Sequence, residues 1–328
     1  MVETTYREPV SKLLTYGDCN EIDKQIEDPG RDRLIEEIEK GGIDSLSRTK
    51  LAELEPIPRV DRWPNYVEEL GLSEAHIPEL IRLAIDDELN RLAGEDVAVW
   101  APVHAWRSLG QLKAEAAIAP LMNTFLEELY ADWAHEEIPW VLGLIGERAI
   151  APVTKYLATR KKKVRGRISA SESLERIALQ NPDLKDVCLE KLANQLAEYS
   201  RNPADLNGFL VSSLIELGSA QYADLISEVY LSKRIDETIC GTWPSVQVDL
   251  GLAKEEDFDP EELRLPMPEW AKTDRKEADK PSAFELGVAK KRGKQDELSV
   301  VYGKGKLNFG KRQRDQSATQ KNKGFGKK

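Results

Sequence analysis

The sequence predicts an all-α fold, a superhelical solenoid of stacked two-helix units followed by a disordered basic tail. Three observations carry this reading. First, Leu109-Gly110-Gln111-Leu112 and the later block Ala117-Ile118-Ala119-Pro120-Leu121 are echoed by Leu142-Gly143-Leu144-Ile145 and Ala149-Ile150-Ala151-Pro152-Val153, the Ala-Ile-Ala-Pro blocks lying 32 residues apart. That period is too long for a coiled coil and suits one helical hairpin, which buries its apolar face only by stacking on its neighbours. Second, apolar residues recur at i, i+3, i+4 spacing through the body of the chain. Third, composition changes abruptly near the end: residues 290–328 hold 13 Lys and Arg against 3 Asp and Glu.

Taken in order, residues 1–62 read as an N-terminal helical cap. A short amphipathic helix over 8–17 places Val10, Leu13 and Leu14 on one side and stops at Gly17. A second helix spans Asp32–Lys40, with Leu34, Ile35 and Ile38 in register, and closes at Gly41-Gly42. Pro56, Pro58 and Pro64 then make 55–64 an extended connector.

The repeat array is assigned to 63–252. Ser73 is a suitable N-cap for a helix over 74–93, with Pro78 near its start. Hairpins follow at 98–109 with 115–130, and at 133–145 with 148–159, the latter capped by Asp132. Looser copies pair 167–180 with 183–199, and 204–217 with 220–232 across Gly218, for four helix pairs in all. Gly110 and Gly143 are expected to end their helices where left-handed or closely packed backbone is needed, and Pro120 and Pro152 to sit in first turns, where a missing N–H is harmless.

A second echo, Trp63-Pro64 with Leu70-Gly71-Leu72 against Trp243-Pro244 with Leu250-Gly251-Leu252, recurs 180 residues apart and brackets the array. It reads either as a plug for the open ends of a solenoid or as chance similarity of two loops. Residues 253–289 form a linker, acidic over Lys254–Glu262 and carrying Pro260, Pro266 and Pro268. In the 290–328 tail, 298–309 could turn about Gly303-Lys304-Gly305, but an isolated hairpin is marginal in water and the remainder has too little apolar content to fold alone.

Formal net charge is −11, so with +10 in the tail the residues before 290 carry −21. Cys19, Cys188 and Cys240 are scattered without metal-ligand spacing, and point to reduced thiols, no metal and a cytoplasmic setting. The polar N-terminus lacks the layout of a secretory signal, and no apolar run is long enough to span a membrane. No cofactor is implied, because neither a Gly-x-x-x-x-Gly-Lys-Ser/Thr nor a Gly-x-Gly-x-x-Gly cradle occurs.

The Leu-Gly-x-Ile/Leu and Ala-Ile-x-Pro-Leu unit, over roughly 98–232, resembles the HEAT-like repeat first named for the phycobilisome lyases. Glu8-Pro9-Val10, Leu13-Leu14-Thr15-Tyr16-Gly17-Asp18, His76-Ile77-Pro78-Glu79-Leu80 and Trp100-Ala101-Pro102-Val103-His104-Ala105-Trp106-Arg107 resemble, more closely, a bacterial HEAT-repeat family of unknown function. Members of that family often carry a basic C-terminal extension, sometimes with a Cys-rich zinc motif. The tail here has no cysteine, so no zinc site carries over.

Two groups of residues stand out as candidates for binding. His104 and His135 fall in the first helices of successive repeats and, with Trp100, Trp106, Trp133 and Trp140, would line a groove for a partner peptide or planar ligand; the alternative is inter-repeat core. Arg160, Lys161, Lys162, Lys163, Arg165 and Arg167 put six cations in eight residues, suited to a polyanion such as RNA or to an acidic protein face; the alternative is a solvated loop. Lys311, Arg312 and Arg314 extend the anionic-partner reading into the tail, where Tyr302, Phe309 and Phe325 are interleaved as base-stacking groups; the alternative is a solubilising tail folded on the acidic 254–262 stretch. Acidic pairs such as Glu136-Glu137 read as a solvated helix face. No catalytic residue is assigned. The expected function is a non-catalytic scaffold for a protein partner, tied to a ribonucleoprotein or ribosome through its basic segments. The second function considered is a phycobilin lyase or chaperone, handling a bilin and its acceptor protein.

Overall fold

The computed structural model describes residues 6–23, 25, 30, 33, 36, 59–92, 96–124 and 131–266. Among them every regular element is helical and no strand occurs, as the all-α expectation requires. The expected helix at 32–40, the prolines Pro56 and Pro58, the 298–309 hairpin and the tail, with Lys311, Arg312 and Arg314, lie outside the described residues.

A 3-10 turn at Val10–Thr15 leads to α1 (Cys19–Asp23). After the turn Arg59–Arg62 come α2 (Tyr66–Leu70), α3 (Ile77–Ala84), α4 (Ala101–Gln111), α5 (Ile118–Thr124), α6 (Ala131–Ile145), α7 (Glu147–Ala158) and α8 (Val164–Gln180). The series continues with α9 (Lys185–Ala197), α10 (Ala204–Glu216), α11 (Ala223–Leu231), α12 (Glu237–Cys240) and α13 (Trp243–Asp249).

Helices α2, α4, α6, α8, α10 and α12 pack side by side in chain order. The alternate helices do the same: α3 meets the turn leading into α5, and α5, α7, α9, α11 and α13 follow one another. From α2 to α13 this makes six helix pairs in two layers, two more than the periodicity indicated. In the additional pairs, α2 with α3 and α12 with α13, only α3 reaches two full turns of apolar spacing; α2, α12 and α13 have 5, 4 and 7 residues and do not. The helix expected over 74–93 is correspondingly shorter. It ends at Ala84, and a separate 3-10 turn follows at Leu89–Arg91.

The repeated glycines mark where the first layer closes up. Both lie in the last turn of their helices, as expected. A Cβ on Gly110 would sit 3.3 Å from the Val141 Cα of the next helix, and one on Gly143 would sit 3.0 Å from the Arg176 carbonyl oxygen. Of the two roles the sequence left open for them, close packing is the one observed. Left-handed backbone falls instead to Lys113, at φ 51°, and Gly146, at φ 78°. Pro120 is two residues into α5, whereas Pro152 stands five residues into α7, because the turn that is 3-10 at Glu115–Ala117 is α-helical in the second copy.

Ala117, Ile118 and Leu121 are buried, as are Ala149, Ile150 and Val153. The two blocks therefore occupy equivalent core positions. Replacing Ile118 or Ile150 by alanine is expected to cost about 2–5 kcal/mol in urea unfolding, and a loss below about 0.5 kcal/mol at both would contradict their inward packing.

The Trp-Pro echo has a shared geometry at its far end. Gly71 at φ 68° is followed by Leu72 N–H bonding to the Val67 carbonyl at 3.0 Å, and Gly251 at φ 70° by Leu252 N–H bonding to Gln247 at 2.9 Å. Both are left-handed helix stops of the Schellman kind. The tryptophans themselves serve different neighbours: Trp63 lies under the Arg107 guanidinium, 5.0 Å from it, and Trp243 packs on Tyr230 at 5.5 Å.

Candidate functional site

The densest polar cluster lies where the N-terminal segment crosses α4. Arg107, 1% exposed, projects from α4 between two carboxylates. Its Nη1 and Nη2 donate to Asp23 Oδ1 and Oδ2 at 2.8 and 2.7 Å, and its Nε and Nη2 donate to Glu137 Oε2 and Oε1 at 3.2 and 2.9 Å. Arg59 adds a second guanidinium, donating from Nε to Glu137 Oε1 at 3.1 Å. Two cations and two anions thus balance in a largely water-free site, in the paired and hydrogen-bonded form that buried charge requires. Burial alone would raise the Glu137 pKa, but Arg107 and Arg59 outweigh it and hold the carboxyl at about 2. Burial raises Asp23 despite Arg107.

One helical turn earlier, His104 is fully buried. Its Nε2 bonds the Gly17 carbonyl at 2.9 Å, which places the proton there and leaves Nδ1 to accept from the Tyr66 hydroxyl at 2.8 Å. Cys19 Sγ sits 3.5 and 3.7 Å from the two ring nitrogens. Burial lowers the His104 pKa to about 4 and pushes the Cys19 thiol up. Reactive cysteines have lowered pKa values and access to solvent; Cys19 has neither, so this group serves as a clasp that holds the N-terminal segment. Tyr6 Oη–H to Asp86 Oδ2 at 2.6 Å and Arg7 N–H to Glu79 Oε1 at 2.7 Å extend the clasp onto the first helix pair, as does the Tyr16 hydroxyl on Glu69.

The reading of Glu136-Glu137 as a solvated face is corrected for Glu137, which is 0% exposed. The signal was available: Glu137 shares a helix stripe with Ala134, Ile138 and Val141, all buried. Asp23, Arg59, Cys19, Tyr66 and Arg107 carry no comparable local pattern, because each finds its partner through the fold.

The Trp and His candidates do not form one groove. Trp100, His104 and Trp106 are 8%, 0% and 1% exposed, and the Trp106 indole donates to the Ala84 carbonyl at 2.7 Å. They are core, the alternative weighed above. His135 and Trp140 are half-buried on α6, His135 hydrogen-bonded to Ser169 and Trp140 stacked under Arg176 at 4.1 Å. The Trp133 side chain lies outside the described residues. Spacing explains the separation of the two histidines: equivalent glycines in α4 and α6 are 33 residues apart, so Glu137, and not His135, takes the position of His104.

The basic loop joins α7 to α8. Arg160, Lys161, Lys163 and Arg165 are exposed and Lys162 is half-exposed, with its ammonium 4.7 Å from the Tyr156 ring centre. Arg167 departs from the expected set. It is 2% exposed, its Nε donates to the Leu157 carbonyl at 2.7 Å and its Nη2 to Asn202 Oδ1 at 3.1 Å. It anchors the loop from below and is not part of its outer surface.

Among the described residues, no group of three or more His, Cys, Asp or Glu is arranged to hold a metal ion, and no helix is long and apolar enough to cross a membrane. No known family model, curated protein or solved structure matches this chain.

Proposed function

We propose that the chain is a HEAT-like α-solenoid acting as a non-catalytic binding scaffold for a protein partner, with its basic loop and tail turned toward an anionic, RNA-containing assembly. The observation that carries this reading is the chain-order packing of both helix layers, with glycine at the same step of α4 and α6. An array in which each pair contacts chiefly its neighbours gains surface in proportion to its length, the property such repeats use for binding extended partners. The exposed cations of the α7–α8 loop support the anionic contact, since they project from a body that carries −21 before residue 290.

Affinity purification of the tagged full-length chain, followed by mass spectrometry, tests the reading. A reproducible protein partner is the expected result, with ribonucleoprotein components reduced when 290–328 is deleted. Recovery of the chain alone would refute a scaffold role, and recovery of a linear tetrapyrrole would point to bilin handling.

A further inference from the structure

The α7–α8 loop is built, and its construction bears on what it binds. The Thr159 hydroxyl donates to the Lys155 carbonyl at 2.7 Å, and Lys162 N–H closes a turn on the Thr159 carbonyl at 2.9 Å. Arg167 reaches back from α8 to the Leu157 carbonyl and sideways to Asn202, tying the base of the loop to the next inter-pair connection. That connection is itself tied onward, because Arg234 Nη2 donates to the Ser200 carbonyl at 2.9 Å and Asn207 Nδ2 to the Tyr199 carbonyl at 3.0 Å. Tyr156 fills the space beneath: Lys162 lies over its ring, and a Cβ on Gly166 would fall 2.5 Å from its hydroxyl oxygen.

A loop that merely carried solvated lysines would need none of this. Here Arg160, Lys161 and Lys163 are held as neighbouring exposed charges on a pinned backbone, so their mutual repulsion is not relieved by the backbone moving. Arg160 and Lys161 make no ion pair with any described residue. Arg167, buried below them, is bonded to neutral oxygens and adds to the positive potential.

Resting on the anionic-partner part of the function proposed above, we infer that this tip is a preformed contact for the sugar-phosphate backbone of single-stranded RNA. Size distinguishes that ligand from an acidic protein face. A stable protein interface covers about 800 Å² per partner, far more than a six-residue tip offers. A single strand is narrow enough to meet the tip alone. The contact reads charge and not sequence, because its cations meet phosphate oxygens, which are the same at every nucleotide.

The test uses the full-length chain, a fluorescein-labelled oligouridylate of about 20 nucleotides and anisotropy titrations between about 50 and 200 mM salt. The comparison is the triple variant Arg160→Gln, Lys161→Gln, Lys163→Gln, whose side chains are exposed and whose tail is intact. Loss of three phosphate contacts should flatten the log–log salt slope by about 2 and weaken binding by about two to three orders of magnitude at the lower salt, the deficit shrinking about sixteenfold by the higher. Unchanged affinity and slope would overturn the proposal, as would absence of RNA binding by the parent chain at low salt. Polyglutamate of equal charge should fail to displace the RNA; displacement at equal concentration would assign the tip to acidic protein. Retained protein-partner capture by the triple variant separates failure of the scaffold reading from failure of this one.

Discussion

Glu137→Ala is expected to destabilise the chain by about 3–5 kcal/mol, since removing one member of a buried, hydrogen-bonded ion cluster strands the charges that remain. Arg107 would keep only Asp23, and Arg59 would keep only the more distant Glu136 carboxylate at 3.8 Å. Glu136, with its side chain 39% exposed, provides the internal comparison. Glu136→Ala should cost less than about 1 kcal/mol, as do most surface ion pairs. Urea unfolding of both variants checks the pair. Equal, small losses would mean that the Arg107 cluster does not hold the N-terminal segment in place. The Glu137 contribution is also pH-bounded: its pKa is held down at about 2, so stabilisation is present above the ordinary carboxylate range and lost as pH falls toward 2.

Acidification from about pH 6.5 to 4 should remove a further contribution of about 3 kcal/mol, and His104 is its source. The folded ring is neutral, with its pKa lowered to about 4 by burial. In the unfolded chain it takes up a proton near pH 6.5. The unfolded state therefore binds more protons across this window, and stability falls as pH falls, levelling below about 4. The groups facing the ring are Tyr16, Cys19 and Gly17 of the N-terminal segment, Tyr66 of α2, Arg107 of its own helix and Glu137 of α6. Protonation would turn Nδ1 from acceptor to donor, so that the Tyr66 hydroxyl could no longer donate there, and would set a cation beside Arg107. His104→Gln should lose this pH dependence. If the variant and the parent show the same slope between pH 4 and 6.5, the assignment to His104 is wrong.

What could be read from the residues alone divides along a physical line. Helices α4, α6, α7, α8, α9 and α10 are 11 to 17 residues long, and their starts and stops fall within about three residues of those expected from apolar spacing. Spacing is a local signal, and these helices show two or more turns of it. Short helices such as α2 and α12 do not, which is why two pairs went unread. The clasp was illegible for another reason: Cys19 and His104 are 85 residues apart, and Arg107 and Asp23 are 84 apart. Glu137 alone gave a hint, through the buried stripe on which it stands. The basic loop was legible as charge. That Arg167 supports it from beneath, and does not face solvent, depends on the position of Asn202 and could not be seen in the spacing.

The clasp also sets a timetable for folding. Elsewhere each helix pair meets partners made just before or just after it, so the stack can assemble as the chain is synthesised. Asp23 must wait for Arg107, 84 residues later, which at 5–20 residues per second is about 4–17 s. Through that interval Tyr16, Cys19 and Asp23 have no α4 to dock on, so this segment is secured only after helices made later than itself. A chaperone acting on the nascent chain would find Cys19 and Asp23 without their α4 partners for that delay.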